Sequence, residues 1–165
     1  MMDDSIGIAT ALLRRDDVEG LRLAPYRCPA GYWTIGIGNR FLADGSPVTA
    51  GTPPLTENDA LDLLQRTLTD LRKKLRDAIS VPLTPCQEGA LLSWQFNIGS
   101  AAMYHSTLRR LLNQGRYSAA GEQLLRWDKA CVKGQMIALP GLRKRRQLER
   151  AVYFGRAVTG ISHNI

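Results

Sequence analysis

The sequence has few of the residues that build metal sites and disulfide frameworks. Its 165 residues contain three cysteines and two histidines, namely Cys28, Cys86, Cys131, His105 and His163. An odd, widely spaced set of cysteines is not a disulfide framework, and neither residue type shows the short spacing of metal ligands. The sequence therefore predicts no metal site.

Long apolar runs are absent as well. No stretch approaches the roughly 20 apolar residues that a membrane-spanning helix needs. The chain begins MMDDSIGIATALLRRDD, which is acidic where a secretion signal is basic, and its apolar part is short. We therefore expect no export signal.

Positive charge is in excess. The formal net charge is +7 and the pI is about 9.7, in a chain that is otherwise ordinary for one soluble domain, with 44% hydrophobic and 22% charged residues. An excess of this sign favours an anionic partner, such as nucleic acid, an acidic polysaccharide or a membrane surface. Charge alone does not choose among these three.

The hydrophobic pattern predicts two lobes joined by a long helix. A helix over about residues 6–15 leads to Glu19. Between residues 23 and 48, aromatic and branched residues alternate with glycines and small or polar residues, which predicts short antiparallel hairpins. Leucines then recur at helical spacing from Thr56, a predicted N-cap, to about Ile79.

The remaining residues are predicted to be helical. Helical patterns cover about residues 85–96, 106–114, 118–127 and 141–155, with a turn at Lys133-Gly134-Gln135. The predicted fold class is α+β, in a single domain over residues 1–165. A small β-hairpin lobe over about 1–55 is joined by the helix over about 56–79 to a mainly helical lobe over about 80–165. Such a shape forms a cleft, where substrates bind.

Three side chains that handle protons or water lie close together in the N-terminal lobe. Eight residues separate Glu19 from Cys28, and five separate Cys28 from Thr34. A carboxylic acid can protonate a leaving oxygen, while a second group handles water on the opposite side of the bond. The set therefore suits bond cleavage by an activated water.

Three blocks of sequence resemble the phage lysozyme (endolysin) family, glycoside hydrolase family 24. The family's catalytic pattern is Glu, eight residues, Asp or Cys, five residues and Thr. The matching blocks are Glu19-Gly20-Leu21-Arg22-Leu23 through Gly36-Ile37-Gly38, Phe96-Asn97-Ile98-Gly99 with Ser106-Thr107-Leu108, and Trp127 with Pro140-Gly141-Leu142-Arg143 and Arg146. The likeness spans about residues 10–155. The chain differs from the common pattern in having Cys28 for Asp and Asn39 for His.

The resemblance implies a lysozyme-like fold and a function. The expected activity is that of an endolysin muramidase (EC 3.2.1.17), which hydrolyses the β-1,4 bond between N-acetylmuramic acid and N-acetylglucosamine in peptidoglycan, with inversion and without a cofactor. It also implies accumulation in the host cytoplasm, release to the periplasm and lysis of the host cell. We expect a monomer whose partner is the peptidoglycan glycan strand, with no nucleic acid.

Glu19, Cys28 and Thr34 are the expected catalytic residues. Glu19 is the general acid, which must carry a proton near neutral pH, and burial against the cleft wall would favour that. Cys28 acts either as a thiolate base or as a neutral group that polarises the water. Thr34 orients that water through its hydroxyl.

The family match also implies a set of substrate-binding residues, namely Gly38, Arg40, Phe96, Thr107 and Arg143. Arg143 matches a basic residue that approaches the catalytic Glu in the family. The basic cluster Arg143-Lys144-Arg145-Arg146 with Arg150 is either a solvated helix face or a surface attracted to the anionic wall or outer membrane.

Three other functions remain open at the level of sequence. A lytic transglycosylase would cleave the same bond with Glu19 as acid and base, and the absence of a second carboxylate keeps that possibility. The pI would also suit a nucleic-acid-binding protein, although no DNA-reading motif is present. The third alternative is a wall-binding module without catalysis.

Overall fold

The computed structural model describes residues 4–156. Its elements in chain order are α1 (Ser5–Leu13), β1 (Arg22–Arg27), β2 (Trp33–Gly36), α2 (Glu57–Ala78), α3 (Pro85–Ile98), α4 (Ser100–Tyr104), α5 (Thr107–Asn113), α6 (Tyr117–Gln123), a 3₁₀ turn (Leu124–Arg126), β3 (Lys129–Val132), β4 (Gln135–Ala138) and α7 (Pro140–Tyr153). The predicted α+β class with a small hairpin lobe is confirmed. His163 and the two ends of the predicted domain lie outside the described residues.

The N-terminal hairpin forms where the alternating pattern predicts it. Strands β1 and β2 pair antiparallel, with Tyr26 opposite Thr34 and Arg27 opposite Trp33. Two further antiparallel bridges, Ile35 with Asn39 and Phe41 with Pro47, continue the irregular ribbon. Because glycines separate the paired residues, the chain reverses within a few residues each time.

The long helix α2 begins and ends as predicted. The hydroxyl of Thr56 accepts a hydrogen bond from the backbone N–H of Asp59 at 3.1 Å, which caps the first turn. The backbone is extended at the C-cap residue Ile79, so the helix ends there. Leu64, Leu68 and Leu75 on one face of α2 are fully buried, as the spacing of the leucines indicates.

The helical lobe contains a second hairpin that the sequence analysis missed. Strands β3 and β4 pair antiparallel around Lys133 and Gly134, at φ 51° and 80°. A two-residue turn with both φ values positive matches the twist of a hairpin. The turn was predicted but the strands were not, because four-residue strands show too little alternation to be recognised. The short helix α4 was also missed, because five residues are too few to show a helical period.

Two hydrophobic clusters support the two parts of the structure. A small cluster under the hairpin contains Ile35, Val48 and Leu63. The main cluster spans α1, α2, α3 and the later helices, and α3 is buried on nearly every side around Trp94. The division into one domain with two lobes remains a prediction.

Close packing of α1 on α3 depends on a glycine. A Cβ atom added at Gly89 would lie 2.6 Å from Cγ2 of Ile8 and 3.1 Å from the carbonyl oxygen of Ser5. Those distances leave no room for a methyl group, so the two helices meet at their backbones. Since α1 leads directly into Glu19, this contact also positions the start of the site.

We expect Gly89→Ala to destabilise the protein by about 1–3 kcal/mol through overpacking, although alanine is the better helix former. The matched control is Gly141→Ala on α7, where an added Cβ would meet nothing within 4 Å. That variant should be neutral or more stable by up to about 1 kcal/mol. Urea unfolding of both variants measures the difference, and equal stabilities would contradict the packing argument.

Candidate active site

Glu19 lies in a tight turn that ends the first helix. The backbone N–H groups of Glu19 and Gly20 both donate to the carbonyl of Leu13, at 3.1 and 3.0 Å. Gly20 adopts φ 75°, a left-handed conformation that glycine accepts without strain. The turn leaves the Glu19 side chain 22% exposed, so its carboxyl group is partly buried but reachable.

Cys28 and Thr34 lie on opposite sides of the turn between β1 and β2. The N–H of Cys28 donates to Tyr32 O at 2.9 Å, and the N–H of Gly31 donates to Cys28 O at 2.8 Å. Thr34 is buried, and its hydroxyl donates to Tyr32 O at 2.9 Å. The turn therefore brings the thiol and the hydroxyl to the same end of the hairpin.

The surroundings of Cys28 favour its ionised form. Burial raises the pKa of the Cys28 thiol, but nearby backbone N–H groups of Tyr32, Ala30 and Gly31, together with the Thr34 hydroxyl, lower it more. The net pKa lies below the usual value of a cysteine. Hydrogen-bond donors around a sulfur atom stabilise a thiolate because they partly neutralise its charge.

The phenol of Tyr26 responds to charges from both parts of the expected site. Burial raises the pKa of its phenol, the charges of Glu19 and Cys28 raise it further, and Arg22 opposes them from 4.4 Å above the ring. Tyr26 is therefore near both expected proton-handling groups. The sequence analysis assigned it only to the hairpin, since an aromatic residue in a strand gives no signal of a site.

Gly38 contacts the carboxyl group of Glu19. A Cβ atom added at Gly38 would lie 2.8 Å from Oε2 of Glu19 and 2.9 Å from its Cδ, and the residue adopts φ 74°. No side chain fits between the hairpin backbone and Glu19. The structure thus places Gly38 next to Glu19. A residue with a side chain would collide with the Glu19 carboxyl at this position.

The basic residue that contacts Glu19 is Arg145, not Arg143. Nη1 of Arg145 donates to Oε1 of Glu19 at 2.7 Å, whereas Arg143 pairs with Asp128 at 3.4 Å. Two positions along a helix correspond to about 200° of rotation, so the two arginines project to opposite sides of α7. The expectation for Arg143 was wrong for this geometric reason.

A network of buried charges lies beneath that ion pair. Glu149 accepts from Arg145 Nε at 3.2 Å, from Arg146 Nη1 at 2.6 Å and from Ser93 Oγ at 2.6 Å. Arg146 also donates to Trp127 O at 2.8 Å and to Oδ1 of Asn97. The spacing of Glu149 three and four residues after the arginines was the available signal for this network, and the sequence analysis did not use it.

The other expected substrate-binding residues are Arg40, Phe96 and Thr107, and their contacts are as follows. The guanidinium of Arg40 stacks 4.4 Å above the exposed ring of Tyr32. Phe96 packs against the main core, and Thr107 is the exposed first residue of α5. Within residues 4–156, neither Phe96 nor Thr107 forms a hydrogen bond to the three expected catalytic residues.

Asn39, which stands where the family usually has His, links the hairpin to α2. Its side-chain amide donates to Thr67 Oγ1 at 2.9 Å, and its backbone pairs with Ile35 in both directions. The side chain is buried. Asn39 thus contributes to the packing of the hairpin on α2.

The basic residues of α7 are largely neutralised by carboxylates. Arg143 pairs with Asp128, Lys144 with Asp17 at 3.8 Å, and Arg150 with Glu122, while Arg145 and Arg146 are buried in the network. The cluster is therefore not one free cationic face. In the described part of the chain, no group of three or more His, Cys, Asp or Glu side chains could hold a metal ion. No helix there is long and apolar enough to cross a membrane.

Comparison with known proteins identifies the family. The family model described as phage lysozyme matches residues 16–149. The chain is 41% identical to the endolysin of Acyrthosiphon pisum secondary endosymbiont phage 1 over 135 residues, which cover 82% of this chain and 88% of that protein. It is also similar to the solved structure of the endolysin from Escherichia coli O157:H7 phage FAHEc1, with TM-score 0.81, 32% identity and 94% of each chain covered.

A third similarity is to the muramidase domain of SpmX from Asticaccaulis excentricus, with TM-score 0.71 and 31% identity, covering 92% of this chain and 95% of that domain. The fold and the site thus define an enzyme that cleaves peptidoglycan. The chain belongs to the phage lysozyme family, as its sequence blocks indicated.

We expect Gly38→Ala to lose about 100-fold or more in activity, because its methyl group would displace the Glu19 carboxyl. The matched control is Gly45→Ala, where φ is 87° and an added Cβ would meet nothing within 4 Å. Both variants carry similar backbone strain, so thermal unfolding should shift by comparable amounts. Equal activity of the two variants would show that contact with Glu19 is unimportant.

Proposed function

We propose that this enzyme is a muramidase that hydrolyses the β-1,4 bond between N-acetylmuramic acid and N-acetylglucosamine, and thereby lyses the host cell. The observation that carries the proposal is the arrangement around Glu19. Its carboxyl group accepts a hydrogen bond from Arg145 and lies against Gly38, and Tyr26 is close enough to feel the charges of both Glu19 and Cys28. The similarity to the SpmX muramidase domain supports the choice of bond.

Glu19 is the proposed general acid. Arg145 occupies Oε1, so Oε2, on the Gly38 side, is the oxygen available to carry the proton. Entry of a glycan chain would remove water from around this oxygen, where the proton is needed. Glu19 then gives its proton to the glycosidic oxygen as the bond from C1 to that oxygen breaks.

Cys28 is the proposed partner on the water side. The donors that lower its pKa support the thiolate over the neutral polarising group. The thiolate accepts a proton from the water whose oxygen forms the new bond to C1, and attack from the opposite face inverts that carbon. The thiol proton and the Glu19 carboxylate then exchange with solvent, which restores both groups.

Thr34 is the proposed water-positioning residue. Its hydroxyl lies 2.9 Å from Tyr32 O and close to the Cys28 sulfur, so its hydrogen is shared between these two acceptors, and its oxygen lone pairs can accept a hydrogen bond from water. The side chain is buried and fixed by the strand pairing of Tyr26 with Thr34. A hydroxyl that cannot rotate freely can hold a water in one orientation.

The remaining parts of the proposal concern binding and location. We assign Gly38, Arg40, Phe96 and Thr107 to the surface that contacts the glycan strand, and we propose a monomer that reaches the periplasm after accumulating in the host cytoplasm. Arg143 supports the β3–β4 hairpin through Asp128 and is not assigned to Glu19. We do not assign α7 to an anionic membrane, because carboxylates pair with its basic side chains.

A lytic transglycosylase remains the second candidate. The observation that favours it is the thiol in place of a second carboxylate, since such an enzyme uses Glu19 as both acid and base. The two reactions differ in their products, because hydrolysis adds a water and transglycosylation leaves an anhydro ring on the muramic acid.

We expect the native enzyme to clear permeabilised Gram-negative cells and to release muropeptides with reducing muramic acid ends. Glu19→Gln should lose at least about 1000-fold in clearing rate, because an amide cannot donate the proton. Glu122→Gln, which removes an exposed ion-paired carboxylate on α6, should keep full activity. Mass spectrometry of the products decides the reaction. Anhydro ends would establish the transglycosylase, and clearing by Glu19→Gln would reject Glu19 as the acid.

We expect Cys28→Ser to lose most activity and Cys28→Asp to retain much of it, since serine does not ionise and aspartate does. In the native enzyme, alkylation of Cys28 by iodoacetamide should become half-maximal at a lower pH than for a peptide thiol, because the Cys28 pKa is lowered. Peptide mass spectrometry follows this residue separately from Cys86 and Cys131. Full activity of Cys28→Ser would remove Cys28 from the mechanism.

A further inference from the structure

Glu149 is a buried acid with three donors. Its side chain is 1% exposed, and both of its oxygens are occupied by Arg145, Arg146 and the Ser93 hydroxyl. A carboxylate so deep in the protein is costly unless positive charge compensates it. Its two arginine partners supply that charge.

Arg145 connects Glu149 to Glu19. Its three nitrogens donate to three different groups: Nε to Glu149 at 3.2 Å, Nη2 to Ser93 O at 2.8 Å and Nη1 to Glu19 at 2.7 Å. Two of these bonds are to α3 and α7, which are packed together. The guanidinium is therefore fixed in place before it meets Glu19.

The charges of this network balance only when Glu19 is ionised. Arg145 and Arg146 carry two positive charges, and Glu149 and Glu19 carry two negative charges. Arg146 lies close enough for its charge to act on Glu19 as well. Without Glu149, two buried guanidinium groups would face the Glu19 carboxylate alone, and their combined field would oppose its protonation.

We propose that Glu149, acting through Arg145 and together with Arg146, is a positioning residue that lets Glu19 hold a proton in the active enzyme. It does so by neutralising one of the two guanidinium charges next to the site, while keeping Arg145 oriented. The inference rests on the proposed role of Glu19 as general acid, and it goes beyond that role in assigning a function to the buried network.

Other titratable and charged groups lie near Glu19, and none of them is substituted in the variants described below. Tyr26 on β1 is close enough for the charges of Glu19 and Cys28 to raise the pKa of its phenol. In the turn before Glu19, Asp17 is held by Arg15 at 2.8 Å and by Lys144 at 3.8 Å. None of these groups bonds to Glu149. Their electrostatic effect on Glu19 should therefore stay the same when residues of the network are substituted.

Three variants test the proposal through the direction in which each one shifts the titration of Glu19. Glu149→Gln removes a negative charge, so Glu19 should release its proton at a pH lower by about one unit or more, and activity at neutral pH should fall by about tenfold. Arg146→Met removes a positive charge and should move the same titration to higher pH. The double variant removes one charge of each sign and should lie near the native value.

The readouts are the pH dependence of kcat and the carboxyl ¹³C titration of Glu19, which is identified by its absence from Glu19→Gln. The matched control is Glu122→Gln, which should leave both unchanged. A purely structural role of Glu149 would lower activity without moving the titration. That result, or shifts of the same sign in both single variants, would overturn the proposal.

The double variant also keeps the proposal testable if Glu149→Gln alone does not fold. If Glu149→Gln does not fold because it leaves an uncompensated buried charge, the neutral pair in the double variant should restore folding. A folded double variant that titrates like the native enzyme then supports the proposal, and one that titrates differently overturns it. Glu19→Gln could prove fully active while Glu149→Gln still shifts the titration of Glu19. In that case the proposed role of Glu19 as the acid fails, but the electrostatic coupling between Glu149 and Glu19 stands.

Discussion

The ion pair between Arg145 and Glu19 is the contact on which the site depends. The two residues are 126 positions apart in the chain, one in the turn after the first helix and one on the last. Glu149 and the carbonyl oxygen of Ser93 accept the other hydrogen bonds of Arg145 and so orient its guanidinium towards Glu19. The pair thus joins the start of the chain to its final helix, and it places the expected acid next to a charge network that is almost fully buried.

Backbone contacts set the other sides of the site. The Gly38 backbone lies against the Glu19 carboxyl, and Gly89 lets α1 lie close to α3. In both places a methyl group would meet atoms at less than 3 Å, so both positions require glycine for space, and Gly38 requires it for its positive φ as well. Packing of this kind positions Glu19, while the turn of the hairpin brings Cys28 and Thr34 to one end of β1 and β2.

A thiol in the place of a second carboxylate is the chemical peculiarity of this enzyme. An aspartate is ionised at neutral pH wherever it is exposed, but a cysteine needs its surroundings to favour the thiolate. The turn between β1 and β2 supplies backbone N–H groups and a hydroxyl around the sulfur, and together they outweigh the effect of burial on its pKa. The local backbone therefore favours the ionised form at this position, which an exposed aspartate adopts without such help.

The sequence by itself determined the family, the fold class, the long helix with its Thr56 cap and the spacing of Glu19, Cys28 and Thr34, because these depend on local patterns. Only the tertiary structure decided that Arg145 rather than Arg143 faces Glu19, that Gly38 contacts its carboxyl, and that β3 and β4 form a hairpin. A basic run on a helix does not show which residue points inward. The rotation of α7 about its own axis is set by the side chains of α3 and of the 3₁₀ turn that pack against it. Contacts between residues far apart in the chain depend on that packing, and local sequence patterns do not record it.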